Sequence, residues 1–257
     1  MARRWSGALI AVVALLAMPA AAGAWWQPPA DPTFYWQLQG TINTGVPASV
    51  YDVDGFETSA SEVAALHAAG RHVVCYVDVG TAENFRPDYD EFPAAVLGKK
   101  NGWPGERWID IRRTEVVEPI MEARFRMCAE KGFDAVEPDN IEAFSNKSGF
   151  PVTADQQLTY NLWIADAAHG LGMAVLQKND GEQAAAMEPS FDGVLTEQCN
   201  QYAECGWFAP YIEAGKPVID AEYKLKTKRF CAADVVAGIV GARFNLALNG
   251  KRFEPCW

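Results

Sequence analysis

A (β/α)8 TIM barrel is the fold class this sequence predicts, and three observations predict it. Short apolar runs recur along the chain, and most end in polar residues. Amphipathic helical segments with their own start and stop signals fill most of the gaps. The 257 residues are 49% hydrophobic and 21% charged, which excludes a disordered chain and leaves room for one large barrel. Strands alternating with helices give a parallel sheet, and eight such units in this length close on themselves. A doubly wound open sheet is the alternative, but no G-x-G-x-x-G or Walker loop follows any strand. No linker divides the chain, so one domain is expected.

The chain opens with Arg3 and Arg4, an apolar run over 8–18, and Ala22-Gly-Ala24. That is the pattern of a secretory signal peptide over 1–24, cut before Trp25. Residues 25–257 then form the domain, secreted to the extracellular space or periplasm, with no membrane span expected. Strand-like runs follow at 35–39, 50–54, 72–78, 134–137, 173–178, 193–197, 217–222 and 243–248. Residues 40–49 are too few for a proper helix, so the first βα connection is irregular. The run 107–111 is surplus to eight and reads as a short extra strand in the third βα loop. Ser59-Ala-Ser-Glu62 and Thr153-Ala-Asp-Gln156 have capping-box spacing, each followed by apolar residues at helical intervals. Gly70, Gly132 and Gly170 fit helix stops. A further helix covers 231–240. Pro138 lacks an N–H and is expected to end the fourth strand at Glu137.

All six cysteines follow the leader: Cys75, Cys128, Cys199, Cys205, Cys231 and Cys256. An even count in an exported chain reads as disulfides, with 15 possible pairings among six thiols. Cys199 and Cys205 are near enough to close a small loop. Cys231 with Cys256 would tie down the C-terminus, leaving Cys75 with Cys128. No C-x2-C pair occurs and His67, His72 and His169 are scattered, so no metal and no cofactor are expected.

The chain has 22 Lys+Arg against 33 Asp+Glu, a net charge of −11, and losing Arg3 and Arg4 makes it two units more negative. Phosphate binding needs the opposite surplus, so nucleic acid is not the expected partner. A neutral or cationic ligand fits better. Catalytic groups of such barrels project from the C-terminal strand ends. Nearly every end here carries a polar residue: Gln37 and Gln39, Asp52 and Asp54, Tyr76 and Asp78, then Glu137, Asp139 and Asn140. Next come Lys178 and Asn179, Glu197, and finally Asp220, Glu222 and Tyr223. Asp139 could instead cap a following helix, and Glu197 could simply pair with a nearby cation. Two carboxylates on strands two units apart can flank one glycosidic bond, one protonating the leaving oxygen and the other attacking the anomeric carbon or activating water. There is no G-x-S-x-G elbow and no H-E-x-x-H. Trp36, Tyr202 and Tyr223 sit among polar neighbours and are the best candidates for stacking on a sugar.

Several motifs together resemble glycoside hydrolase family 114, which includes endo-α-1,4-polygalactosaminidases and spherulin-4-like proteins. They are Trp36-Gln-Leu-Gln39, Tyr51-Asp-Val-Asp54, Cys75-Tyr-Val-Asp-Val-Gly80 and Trp108-Ile-Asp-Ile-Arg112. Gly132-Phe-Asp-Ala-Val-Glu-Pro-Asp-Asn140, Gln177-Lys-Asn179 and Glu197-Gln-Cys-Asn-Gln-Tyr-Ala-Glu-Cys205 complete the set. The resemblance implies a secreted barrel that cuts α-1,4-linked galactosamine polymers in mid-chain by a retaining route, with Asp139 as nucleophile and Glu197 as acid/base. It implies that Asp54, Tyr76, Asp78, Lys178, Asp220, Glu222 and Tyr223 line the subsites, and the strand-end and aromatic readings add Trp36, Glu137, Asn140, Asn179 and Tyr202 as expected substrate-binding residues. Asp54, Asp78, Asp220 and Glu222 are the acids expected to pair substrate ammonium groups. A monomer is expected. The rival readings are a glycosidase for a neutral α-linked polysaccharide and a non-catalytic carbohydrate-binding barrel of the cell surface or wall.

Overall fold

Parity along the strands sorts the side chains of this protein into a lumen and an outer layer under the helices. The computed structural model describes residues 25–257, so the expected signal peptide lies outside the described residues. In chain order the elements are β1 (Phe34–Gln37), β2 (Val50–Asp54), α1 (Ala60–Ala68), β3 (His72–Asp78), β4 (Thr81–Glu83), β5 (Leu97–Lys100), β6 (Glu106–Ile109) and α2 (Thr114–Lys131). Then come β7 (Ala135–Asp139), α3 (Ala154–Gly170), β8 (Ala174–Lys178), α4 (Ala184–Met187), β9 (Gly193–Glu197), α5 (Cys199–Tyr202) and α6 (Ala209–Glu213). The chain closes with β10 (Val218–Glu222), α7 (Cys231–Ala237), β11 (Val240–Phe244) and β12 (Phe253–Pro255).

The main sheet runs β1-β2-β3-β7-β8-β9-β10-β11 with all neighbours parallel, and β12 adds antiparallel to β11. This is a nearly closed TIM barrel. Among the described residues no ladder joins β1 to β11 or β12. The seam is closed instead by Leu38 and Gln39 N–H groups donating to the Leu248 carbonyl, and by Tyr35 edge-on to Phe253 at 5.0 Å. The lower lumen is filled by Phe34, Val50, Val74, Leu176, Leu195 and Ile219, so any charge placed above it is shielded from water on one side.

Both capping boxes form, at Ser59/Glu62 and Thr153/Gln156. The α2 stop is Gly132 in the left-handed region, but α3 runs through Gly170 and turns at Gly172. The expected extra strand is β6, which pairs antiparallel with both β4 and β5 in a separate three-stranded sheet after β3. Two expectations are corrected. The last barrel strand begins at Val240 rather than residue 243, because α7 stops at Ala237 and Gly238 turns the chain early. Pro138 does not end β7. The ladder to β8 stops at Val136↔Val175, which spares the side that would need the missing N–H, while the ladder to β3 continues through Val77↔Pro138 to Asp78↔Asp139.

The disulfides are Cys75–Cys128, Cys199–Cys205 and Cys231–Cys256. The first staples β3 to α2 across 53 residues of sequence, whereas the second spans only 6. Removing the long bridge with paired Cys→Ser changes at 75 and 128 is expected to cost ~2–4 kcal/mol, and the short one less, because loop-closure entropy grows with length. Urea midpoints under non-reducing conditions measure both. Equal losses would show that packing, not chain entropy, sets their worth.

Candidate active site

The strands β7, β8 and β9 end in Asp139, Lys178 and Glu197, and their chains then turn the same way. The next residues, Asn140, Asn179 and Gln198, all have positive φ (63°, 48° and 61°). That tight turn ends each strand abruptly and leaves its last side chain at the rim of the lumen. Gly80 makes room for the first of these turns, since a Cβ there would lie 1.8 Å from the Asn140 carbonyl oxygen.

Lys178 organises the three. Its Nζ lies 2.7 Å from Glu137 Oε1, 3.0 Å from Asp139 Oδ1 and 3.8 Å from Glu197 Oε2. It also sits 4.7 Å from the centre of the Trp36 ring. Burial works against its charge, but Asp139, Glu137 and Glu197 outweigh burial and hold the ammonium well above its ordinary range. Sharing one nitrogen keeps Asp139 Oδ1 and Glu197 Oε2 within about 7 Å of each other, close enough for both to reach one glycosidic bond.

The two carboxylates differ in surroundings. Asp139 accepts from Tyr76 Oη at 2.8 Å, from Lys178, and from the Asn140 N–H at 2.9 Å. Glu197 accepts from Tyr223 Oη and from Asn179 Nδ2 at 3.0 Å, with Lys178 farther off. Burial first, then Asp139 for Tyr76 and Glu197 for Tyr223, raises both phenols well above their usual range, so both stay protonated donors. Asp139 therefore has the stronger set of donors for a negative charge.

These groups floor an open cleft of about 330 Å3 at the C-terminal end of the barrel. Of the residues expected from sequence, Trp36, Asp54, Tyr76, Asp139, Asn140, Lys178, Asn179, Glu197 and Tyr223 line it. Five others do not, and their placement corrects the sequence expectation. Asp220 and Glu222 face outward, because Ile219, Ala221 and Tyr223 take the inward positions of β10. There Asp220 accepts from Cys199 N–H and Asn200, and Glu222 from Gln201 N–H, so both hold α5 in place. Asp78 is sealed beneath the rim, accepting from Gly80, Thr81 and Asn140. Glu137 lies below Lys178, fully buried. Tyr202 is 56% exposed on α5, outside the cleft. Asp54 does line the cleft, but Arg86 clamps it with two hydrogen bonds at 2.9 and 2.6 Å, so its charge is already matched.

Sequence reasoning missed the acids on the cleft wall. Glu57, Glu106 and Glu142 line it and make no ion pair among the described residues. Burial pushes the carboxyls of Glu106 and Glu142 up to about 7. Phe85 and Trp103 stand on the same wall, about half exposed. The signal for Glu106 and Trp103 was present, since the surplus strand was placed in the third βα loop, and such loops build the site of a barrel. Among the described residues no group of three or more His, Cys, Asp or Glu side chains is arranged to hold a metal ion, and no helix is long and apolar enough to cross a membrane.

A (β/α)8 barrel with two carboxylates facing one open cleft is the architecture of a glycoside hydrolase. Residues 16–253 match glycoside-hydrolase family GH114, and the chain belongs to that family. The chain is similar to Ega3 of Aspergillus fumigatus, whose crystal structure is a complex with galactosamine. The two share 32% identity and a TM-score of 0.85, covering 93% of this chain and 100% of that one. The glycoside hydrolase domain of PelA from Pseudomonas aeruginosa shares the fold at 13% identity and a TM-score of 0.66, covering 87% of this chain and 98% of that one. None of the curated proteins compared matches the chain.

Proposed function

We propose that this glycoside hydrolase is secreted and cleaves α-1,4-linked galactosamine-containing polysaccharide in mid-chain with retention at the anomeric carbon. Asp139 is the nucleophile and Glu197 the acid/base. The observation that carries the reading is Lys178, which touches Asp139 at 3.0 Å and stands back from Glu197 at 3.8 Å. A carboxylate held by an ammonium, a phenol and a backbone N–H is fixed in one orientation at the rim, as attack on a bound sugar requires. The other, held by the Tyr223 phenol and the Asn179 amide and farther from the cation, takes the acid/base role.

In the first step Asp139 attacks the anomeric carbon as Glu197 protonates the departing O4. In the second, Glu197 takes a proton from water, which hydrolyses the glycosyl ester and frees Asp139. Three disulfides and the leader pattern support export. The cleft is open rather than a pit, which suits an internal stretch of a chain. The galactosamine complex of Ega3 supports the sugar. The acids that remain free to pair ammonium groups are Glu57, Glu106 and Glu142, in place of Asp54, Asp78, Asp220 and Glu222.

The test is incubation of the purified protein with an α-1,4-galactosamine polymer at graded acetylation, with product masses and reducing ends read out. Partly deacetylated polymer is expected to fall to oligomers of mixed length. Cleavage is expected to weaken as salt rises and to stop on full N-acetylation, because the charge attraction is then gone. Equal rates on acetylated and deacetylated chains would remove the ammonium argument. Cleavage of a neutral α-linked glucan at the same rate would replace the substrate. Proton NMR of the first product is expected to show the α-anomer.

A further inference from the structure

Asp52 takes no part in the chemistry above, yet it stands where a buried charge is costliest. It is on β2, faces the lumen and is 0% exposed. Neither of its carboxyl oxygens has a donor, and Glu137 Oε2 has none either. The two carboxyl groups nevertheless lie within hydrogen-bonding contact of each other. Two ionised carboxylates hold no proton to share. If both were charged, three buried oxygens would be left bare and the pair would repel. One proton between them ends the repulsion and pairs two of the three oxygens, and the third becomes the carbonyl of a neutral carboxyl, far cheaper to bury than a charge. Placed on Asp52, it is donated to Glu137 Oε2, and Glu137 Oε1 stays free to accept from Lys178 at 2.7 Å.

We propose that Asp52 is a positioning residue that holds this proton, donates it to Glu137, and so keeps Glu137 ionised as the anchor for Lys178. The charged groups facing the pair are Asp139 from β7 and Lys178 from β8, with the neutral Tyr76 and Tyr223 phenols and the Trp36 ring completing the surround. With Asp52 neutral, Lys178 meets two full negative charges below the acid/base, not three. When Asp139 loses its charge as a glycosyl ester, Glu137 remains as the counter-ion, so Lys178 need not move or release a proton during turnover. Burial and Glu137 together push Asp52 well above the usual carboxylate range; burial also raises Glu137, but Lys178 offsets part of that rise and leaves it at about 7, which puts the proton on the Asp52 side.

The inference rests on the two-carboxylate reading for its kinetic arm, but the proton itself can be seen without substrate. In infrared difference spectra of the full chain at neutral pH, Asp52→Asn is expected to remove one protonated-carboxyl carbonyl band that the parent protein shows. An unchanged band would overturn the proposal even if the protein cleaves nothing. In turnover, Asp52→Ala strips Glu137 of its donor and is expected to lower kcat about tenfold or more, with KM within about twofold. Its acid limb is expected to shift. Asp52→Asn, whose amide N–H donates to the same oxygen, is expected to restore most of kcat and the parent pH profile. An Asn variant as impaired as Ala would show that the site needs a charge. An Ala variant with parent kcat and pH profile would reduce Asp52 to packing.

Discussion

Asp139→Asn is expected to lower kcat by roughly four orders of magnitude or more, and Glu197→Gln by about two to four, with both proteins folded. The asymmetry follows from the roles, since a missing nucleophile stops the reaction whereas a missing acid slows it according to the leaving group. Both amides can be accommodated. An Asn oxygen in place of Oδ1 still accepts from Lys178 and the Asn140 N–H, and its nitrogen in place of Oδ2 meets Tyr76, whose hydroxyl can turn to accept. At position 197 the Tyr223 hydroxyl can turn likewise, and Asn179 keeps its acceptor. Thermal midpoints within a few degrees of the parent would confirm that the loss is chemical. Near-parent turnover in either variant would sink the assignment.

Lys178→Met is expected to be the most destabilising single change at the site, by about 3–5 kcal/mol, because it strands buried carboxylates rather than removing a balanced pair. Urea unfolding at pH about 7.5 measures it. The deficit should shrink toward about pH 5.5. The carboxyl of Glu137 already sits at about 7, above its unfolded value. A group raised in this way favours the fold below its unfolded pKa and loses that contribution as pH rises through the folded one. Without Lys178 to lower it, Glu137 holds its proton to still higher pH, so acid neutralises the stranded charge and relieves the variant. A deficit that stays constant with pH would mean Lys178 acts through packing alone.

Much of this site was legible in the residues. Lys178 and Glu197 each end an apolar run, Asp139 stands two residues beyond one, and strand ends at one face of a barrel must converge. Parity along a strand was not legible. A strand of a parallel sheet is buried on both faces, so its sequence does not say which alternate set points inward. In β10 both sets carry apolar residues, and only the packed barrel shows that Ala221 and Tyr223 face the lumen while Asp220 and Glu222 tie down α5. Asp54 lines the cleft already paired, for a reason the sequence does not show. Its guanidinium partner, Arg86, is 32 residues away in an irregular loop with no local signal.

The sequence by itself determined the order of strands and helices, their caps, the cysteine set and the residue types at each strand mouth. These are local matters of periodicity, capping and composition. Tertiary structure decided which of those polar groups meet. The position of Lys178 Nζ depends on the pairing and tilt of several strands at once, and that single point sets the distances to Glu137, Asp139 and Glu197. The charge state of Asp52 was decided there too, since a carboxyl gives up its proton according to what surrounds it, and its surroundings come from β7 and β8 rather than from its own strand.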